Sequence, residues 1–485
     1  MQFKIRGDRF MGSRIKTLFL IILIILYWHS ESCAATCNST TCVGSAPWTA
    51  ASPSYADVNH CVNTCAAKND TINVPAGSAV WNQQLVIQKA VNLIGSGSGN
   101  TVITSTYQAP TTNSTDPRTC LISYSANLES NPENINFRIS GFSFDLSNKS
   151  GFIFLNYDSI LPIRKLRIDN NILKNTIGYR TIYNWGQIWG LIDNNVFDNI
   201  GSATGIYGSN LTSWSNFTFH FGTADNMYVE DNTFINMQDT PHSGGAGGRY
   251  SIRYNTYSMS SRGLYPWFDS HGNQGEGANY SGMGLEIYGN KLTHSYPNAG
   301  VGIVDHRGGR GLIFNNTVIA NTSMSAQLRE EYADSLNLPA SGPDGQPQHV
   351  SDSYYWNNRK NNSTYISFSV TQDTSNGVSP NSPAVLAANR EFWQFNSSFN
   401  GTVGIGCGAL STRPATCTTG VAYWATEQSC TTIDEANVGA NPKTPISGTL
   451  YKCTAPNTWT EYFIPYTYPH PLRSEIDPVE VTIVK

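Results

Sequence analysis

The chain has 485 residues, with 30 Lys and Arg against 34 Asp and Glu, a formal net charge of −4. Charged residues make up only 13% of it while Phe, Trp and Tyr reach 12%, well away from ordinary composition. A balance this close to neutral gives no electrostatic drive toward nucleic acid or anionic membranes, and low charge with abundant Asn, Ser, Thr, Gly and Tyr suits an extracellular β protein that meets carbohydrate.

Arg14 and Lys16 precede an apolar run from Leu18 to Tyr27, followed by small residues ending at Ser32-Cys33-Ala34-Ala35. That run is too short to span a bilayer, so residues 1–35 read as a signal peptide, and no membrane span is expected. Removal of the leader leaves Cys37, Cys42, Cys61 and Cys65 near one end, Cys407, Cys417, Cys430 and Cys453 near the other, and Cys120 alone. In an exported chain the two groups are expected to form disulfides at the two ends of the molecule. The rival reading, a zinc site, lacks the spacing of common zinc fingers.

Residues 36–70 read as an amino-terminal cap. Ser54 and Asp57 make a capping box, and Val58, Cys61, Val62 and Cys65 follow at helical spacing, which predicts a short helix over the first strand edges. Opening strands follow at Thr71–Val74, Leu85–Ile87, Val91–Gly95 and Thr101–Ile103. Residues 71–375 carry the repeat that defines the chain. An aliphatic residue, then Asn three places on, then an apolar residue two further recur at Asn171, Asn195, Asn232, Asn255, Asn290 and Asn316. The intervals are 24, 37, 23, 35 and 26 residues, the period of a solenoid in which each coil buries its apolar side by stacking on its neighbours. Asn suits a sharp left-handed bend, and equivalent Asn side chains one rung apart can join in a hydrogen-bonded ladder. The two long intervals predict inserted loops.

This pattern, with Val74-Pro-Ala-Gly77 followed by Leu93-Ile-Gly95, resembles the right-handed parallel β-helix proteins of the pectate-lyase-like superfamily. The resemblance implies an all-β, single-stranded right-handed parallel β-helix with a short amino-terminal capping helix. After Val318 the pattern weakens: a short helix is predicted over Ala326–Leu338 and strands over Tyr365–Val370 and Glu391–Phe395. Residues 376–485 are rich in Cys, Trp and Tyr, resemble the ends of uncharacterised secreted bacterial β-helix proteins, and are expected to hide the last coil.

Strand alternation sorts the repeats into columns. Three residues before each Asn stand Ile168, Ile192, Val229, Ile252, Ile287 and Ile313, which must point inward. Two before stand Asp169, Asp193, Glu230, Arg253, Tyr288 and Phe314; six before stand Lys165, Trp189, Asn226, Arg249, Gly284 and Arg310. These outward columns lie on the face that, by the resemblance, forms a substrate groove. Carboxylates stacked ~4.8 Å apart repel, so calcium is a candidate counterion at Asp169, Asp193 and Glu230, against the plainer reading that they are solvated.

A second constellation joins Trp267, Asp269 and His271 to Asp305, His306, Arg307 and Arg310, with Glu286 between. Asp269 follows Asn255 by 14 residues and Asp305 follows Asn290 by 15, so adjacent coils bring the two acids together. Acid–base work on a glycosidic bond, abstraction of a proton beside a uronate by an arginine, a transition-metal site, and a purely structural tie are all open for this set. Val304-Asp305-His306 is similar to a string in some pectate lyases and Ser270-His271-Gly272 to one in polygalacturonases, although the arginine–proline motif of the first and the paired aspartates of the second are missing. The function expected is a secreted polysaccharide lyase or glycoside hydrolase that requires no cofactor, with Trp189, Arg249, Trp267 and Tyr288 as sugar contacts. The alternative is a non-catalytic adhesin or polysaccharide-binding protein, using aromatics that include Trp214. Oligomeric state is not readable from the sequence.

Overall fold

Each repeat Asn sits where a strand of one sheet bends into a strand of the next. Asn195 Nδ2 donates to Ile168 O at 2.8 Å and to Asn232 Oδ1 at 3.0 Å, and Asn232 Oδ1 also accepts from Asn195 N at 2.9 Å. The same links run from Asn171 through Asn195, Asn232, Asn255, Asn290 and Asn316 to Asn358. The ladder residues are buried, so each side chain satisfies backbone groups that would otherwise be left unpaired away from water. One detail differs from expectation. The left-handed residue is the one before the ladder Asn, with φ between 51° and 68° at Asn170, Asn194, Asp231, Tyr254, Gly289 and Asn315. The repeat Asn itself serves as the ladder side chain.

The computed structural model describes residues 35–113, 115–125, 135–157, 162–176, 178–208, 218–259, 266–272, 281–295, 301–321, 324–329, 349–371 and 386–475. Successive coils contribute one strand to each of three long sheets: Ile188–Asp193, Val196–Asp198 and Ser202–Tyr207 make one such coil. Neighbouring coils pair in parallel, with Ile168, Ile192, Val229, Ile252, Ile287 and Ile313 in register along the first sheet. The chain is therefore a parallel β-helix. Those six side chains point inward and share one core with Leu173, Phe197, Phe234, Tyr257, Leu292 and Val318 of the second sheet. Within that core Phe197, Phe234 and Tyr257 stack at 4.6 and 4.5 Å. Each such buried side chain contributes roughly 1.5–3 kcal/mol.

At the amino-terminal end Ser54 Oγ accepts from Asp57 N at 3.2 Å and starts the helix Tyr55–His60, which continues as a wider turn over Cys61–Cys65. Disulfides Cys37–Cys61 and Cys42–Cys65 tie it to the first strands. Cys42, His60 and Cys65 do come together, but the two sulfurs are bonded to each other, which leaves no thiolate pair for zinc. Tyr55 and Asn63 donate to Gln84 O and Val86 O and so occupy the open edge of the third sheet. Of the expected helix over Ala326–Leu338, residues 326–328 instead end the third-sheet strand Met324–Leu328, and residues 330–338 lie outside the described residues.

The carboxy-terminal region covers more of the molecule than the last coil it is expected to hide. After the rung Phe392–Gln394, a four-stranded sheet of Ile405–Gly408, Ala422–Ala425, Thr449–Ala455 and Thr458–Phe463 forms, held by Cys407–Cys430 and Cys417–Cys453. It does not simply close the last coil. It runs back along the first sheet, where Trp424, Ile446, Leu450 and Phe463 build a second core with Tyr254, Tyr288, Phe314, Tyr354 and Trp356. Residues 466–473 then reach as far back as Arg167. The cause is the outward column of the first sheet, whose aromatics must be covered to leave water.

Candidate functional site

The carboxylates of Asp169, Asp193 and Glu230 do face outward from the coil, yet all three are fully buried, and Asp193 and Glu230 meet the carboxy-terminal segment directly. Arg138 grips Asp169 at 2.6 and 2.7 Å, Arg167 holds Asp193 at 3.1 Å, and Arg253 holds Glu230 at 2.7 Å. Arg473 adds contacts to Glu230 at 3.1 Å and Asp193 at 3.3 Å. The repulsion anticipated from the sequence is relieved by guanidinium groups. These oxygens do not fit calcium, because their acceptor sites are committed and a dication would meet four arginines at close range.

Among the other first-sheet candidates Tyr288, Trp189, Arg249 and Glu286 are buried as well. Tyr288 stacks on Phe314 at 4.8 Å and its hydroxyl accepts from Arg253 at 3.0 Å. Trp189 is buried beneath Arg249 and Arg164, at 5.2 and 4.8 Å from its ring, and Arg249 donates to Thr218 O at 3.0 Å. Glu286 accepts from Gly222 N at 2.7 Å and Ser251 Oγ at 3.3 Å, and burial pushes its carboxyl up to about 7. Arg310 pairs in register with Gly284 on this same sheet. Glu286 and Arg310 therefore do not join Asp269 and Asp305, which lie on the third sheet. Trp214 lies outside the described residues.

On the third sheet one outward column runs Ser123, Phe154, Tyr183, Gly205, Ser243, Asp269, Asp305, Gln327. Alternation sends the next residue of each strand inside, which takes His306 out of the cleft; Trp267, just before its strand, is buried as well. His306 is buried between Tyr355 OH at 2.7 Å and Gly308 O at 3.0 Å, and burial lowers it to about 4. Trp267 is buried in the core, edge-on to Tyr257.

Asp269, His271, Asp305 and Arg307 are brought together. Arg307 Nη2 donates to both Asp269 oxygens at 2.7 and 2.8 Å, and its Nε lies 3.6 Å from Asp305. His271 Nε2 stands 3.0 Å from Asp269 Oδ2. Burial works against ionisation of Asp269, but the adjacent His271 and Arg307 outweigh it and hold the carboxyl at about 2. Burial raises Asp305, in spite of its contacts with Arg329 and Arg307. Asp269 is 9% and Asp305 5% exposed, so the pair is braced from behind by guanidinium rather than open on both sides.

Beside this cluster opens a cleft of about 410 Å³ whose walls include Tyr179, Arg180, Tyr183, Asp239, Ser243, Asp269 and His271. Five of these seven were not singled out from the sequence. The signal that would have found them is weak: counted from the preceding ladder Asn, the outward third-sheet residue falls 12 places on at Tyr183, 10 at Gly205, 11 at Ser243, 14 at Asp269 and 15 at Asp305. The second corner of the coil varies in length, so the Asn marks the first sheet well and the third poorly.

No family model matches the chain, and no curated protein matches it. Among solved structures, a chain of Geobacillus virus E2, ORF18, is similar with a TM-score of 0.35 and 10% identity, covering 95% of this chain and 80% of that one. Among the described residues no helix is long and apolar enough to cross a membrane.

Proposed function

We propose that this is a secreted, pectate-lyase-like β-helix that binds an acidic polysaccharide in the third-sheet cleft and breaks it by elimination. The observation that carries the reading is the Asp269–His271 pair on the cleft wall, with Asp269 pinned by Arg307. A carboxyl held at about 2 is a poor proton donor near neutral pH, which argues against Asp269 as the acid of a hydrolase. An imidazole oriented by a carboxylate is suited to take a proton. In elimination the His271 ring gives up its contact with Arg307 Nη2, which lies 2.8 Å from Nδ1, and that nitrogen removes the hydrogen beside the uronate carboxyl; the C–O bond to the leaving sugar breaks, and a carbon–carbon double bond forms between those two positions. The leaving oxygen then takes a proton from water, the hydroxide so formed recovers the proton from the imidazolium, and Asp269 stabilises that imidazolium in the interval. Arg307, already committed to Asp269, acts as a positioning residue rather than the base. No metal is needed for these steps. Four disulfides support export to an oxidising compartment.

A second reading, glycan binding without cleavage, is favoured by the near-complete burial and pairing of Asp269 and Asp305. A panel of acidic and neutral polysaccharides, assayed for reducing ends and for unsaturated-uronate absorbance, separates the two. Wild type should yield unsaturated ends on a uronate polymer, and His271→Ala should bind that polymer without cleaving it. Reducing ends without absorbance would replace elimination by hydrolysis, and binding without product on any substrate would leave the adhesin.

A further inference from the structure

The outward column of the third sheet passes from aromatic to small to acidic: Phe154 and Tyr183, then Gly205 and Ser243, then Asp269. Gly205 is the break in that column, and backbone conformation does not require it, since it is absent from the residues with positive φ. Space does. A Cβ on Gly205 would fall 2.5 Å from Arg180 Nη1, 2.8 Å from Arg180 Cδ and 2.9 Å from Tyr183 Cδ2. The missing side chain is therefore the bed on which Arg180 lies, with its guanidinium 5.5 Å from the centre of the Tyr183 ring. Arg180, Tyr183, Ser243, Asp269 and His271 all border the one cleft. Gly205 and Asp269 are two rungs apart, ~10 Å along the axis.

We infer that Gly205 and Arg180 form an anion-selecting subsite of this cleft, in which the guanidinium reads the carboxylate of an acidic sugar lying along the helix axis from the sugar held at His271. The inference rests on the reading of the cleft as a glycan site, and extends it from chemistry to selection. A planar guanidinium carried on an aromatic face, with its Nη1 buried against Gly205, offers its remaining edge in a fixed direction to a carboxylate. A neutral or esterified sugar at the same place offers no charge to receive it. Two features make the arrangement specific to this position: Arg180 belongs to the rung before Gly205, and only a residue without Cβ lets it lie across the column. Arg180 then contributes to binding and not to bond breaking, so its loss raises KM and leaves kcat nearly unchanged.

The test is calorimetric titration of the mature chain with hexuronate oligomers of the galacturonate and mannuronate types and with their methyl esters. Wild type should prefer an acid over its ester. Arg180→Gln and Gly205→Ala should each remove about tenfold or more of that preference, the worth of a charge-assisted contact, while His271→Ala keeps it. Arg180→Lys should retain part of it, which a merely structural arginine would not predict. Circular dichroism identifies any variant that fails to fold, and Arg180→Gln stands as the second variant should Gly205→Ala do so. An acid preference that survives Arg180→Gln overturns the subsite and leaves the cleft as a glycan site. Binding of neither acid nor ester by wild type overturns both readings, and binding without cleavage overturns only elimination.

Discussion

Asn255 makes five ladder contacts: its Nδ2 donates to Val229 O, Arg253 O and Asn290 Oδ1, and its Oδ1 accepts from Asn232 N and Asn232 Nδ2. Replacement by Ala leaves several of these groups buried and unpaired, each costing about 1–3 kcal/mol, so Asn255→Ala should lose about 4 kcal/mol in a urea titration. A loss under about 1 kcal/mol would mean that water or a neighbour takes the place of the amide. Glu286 offers a test of a different sort. Its carboxyl lies at 4.5 when unperturbed and at about 7 in the fold, so the folded state binds the extra proton between those values. Stability from this group is then fully present below pH ~4.5 and is lost as pH rises toward 7, on the order of 3 kcal/mol in all. Glu286→Gln keeps the acceptor for Gly222 N and should flatten that part of the profile, matching wild type at pH ~4 and exceeding it at pH ~8. Parallel melting curves for the two proteins across that range would contradict the assignment.

At the scale of the element, the interior column and the Asn ladder were legible because both depend on a period of two within a strand and on a residue type with one clear use. The partner of the outward first-sheet column was not, because it comes from a distant part of the chain: His470 N donates to Glu230 Oε1 across a separation of 240 residues. A hint existed in the column itself, which changes from Asp169, Asp193 and Glu230 to Tyr288 and Phe314. Strand alternation correctly sets such residues outside the coil but says nothing of whether outside means solvent. The closing strap has an identifiable keystone. Arg473 touches Asp193, Glu230 and Asp231, and it brings the segment's positive charge to a face that already carries those acids. Arg473→Met leaves buried carboxylates short of a counter-charge, a loss of about 3–5 kcal/mol. Limited proteolysis should then cut the segment after Phe463, near the exposed Ile464, while the β-helix stays intact. An unchanged digestion pattern would show that the aromatic contacts alone hold the strap.

For the whole molecule, the consequence is a division of the three faces. The first is sealed by aromatics and arginines, and the carboxy-terminal sheet lies over it. The third carries the cleft, with Arg180 and Tyr183 toward one end of its outward column and Asp269 and His271 toward the other. The solenoid was readable from spacing and the β-helix from its Asn residues and the resemblance they carry, whereas the choice of face was not readable, since it is decided by where a distant segment packs. Asp269 and Asp305 were matched correctly from offsets of 14 and 15, but Glu286 and Arg310, close to them in sequence, stand round a corner of the coil. The most direct measurement is hydroxyl-radical footprinting of the mature protein with and without a uronate oligomer. Ligand should protect His271 and Tyr179 on the third sheet and leave Tyr466 and Tyr468 of the strap unchanged; protection of the strap tyrosines with no change at His271 would contradict the account.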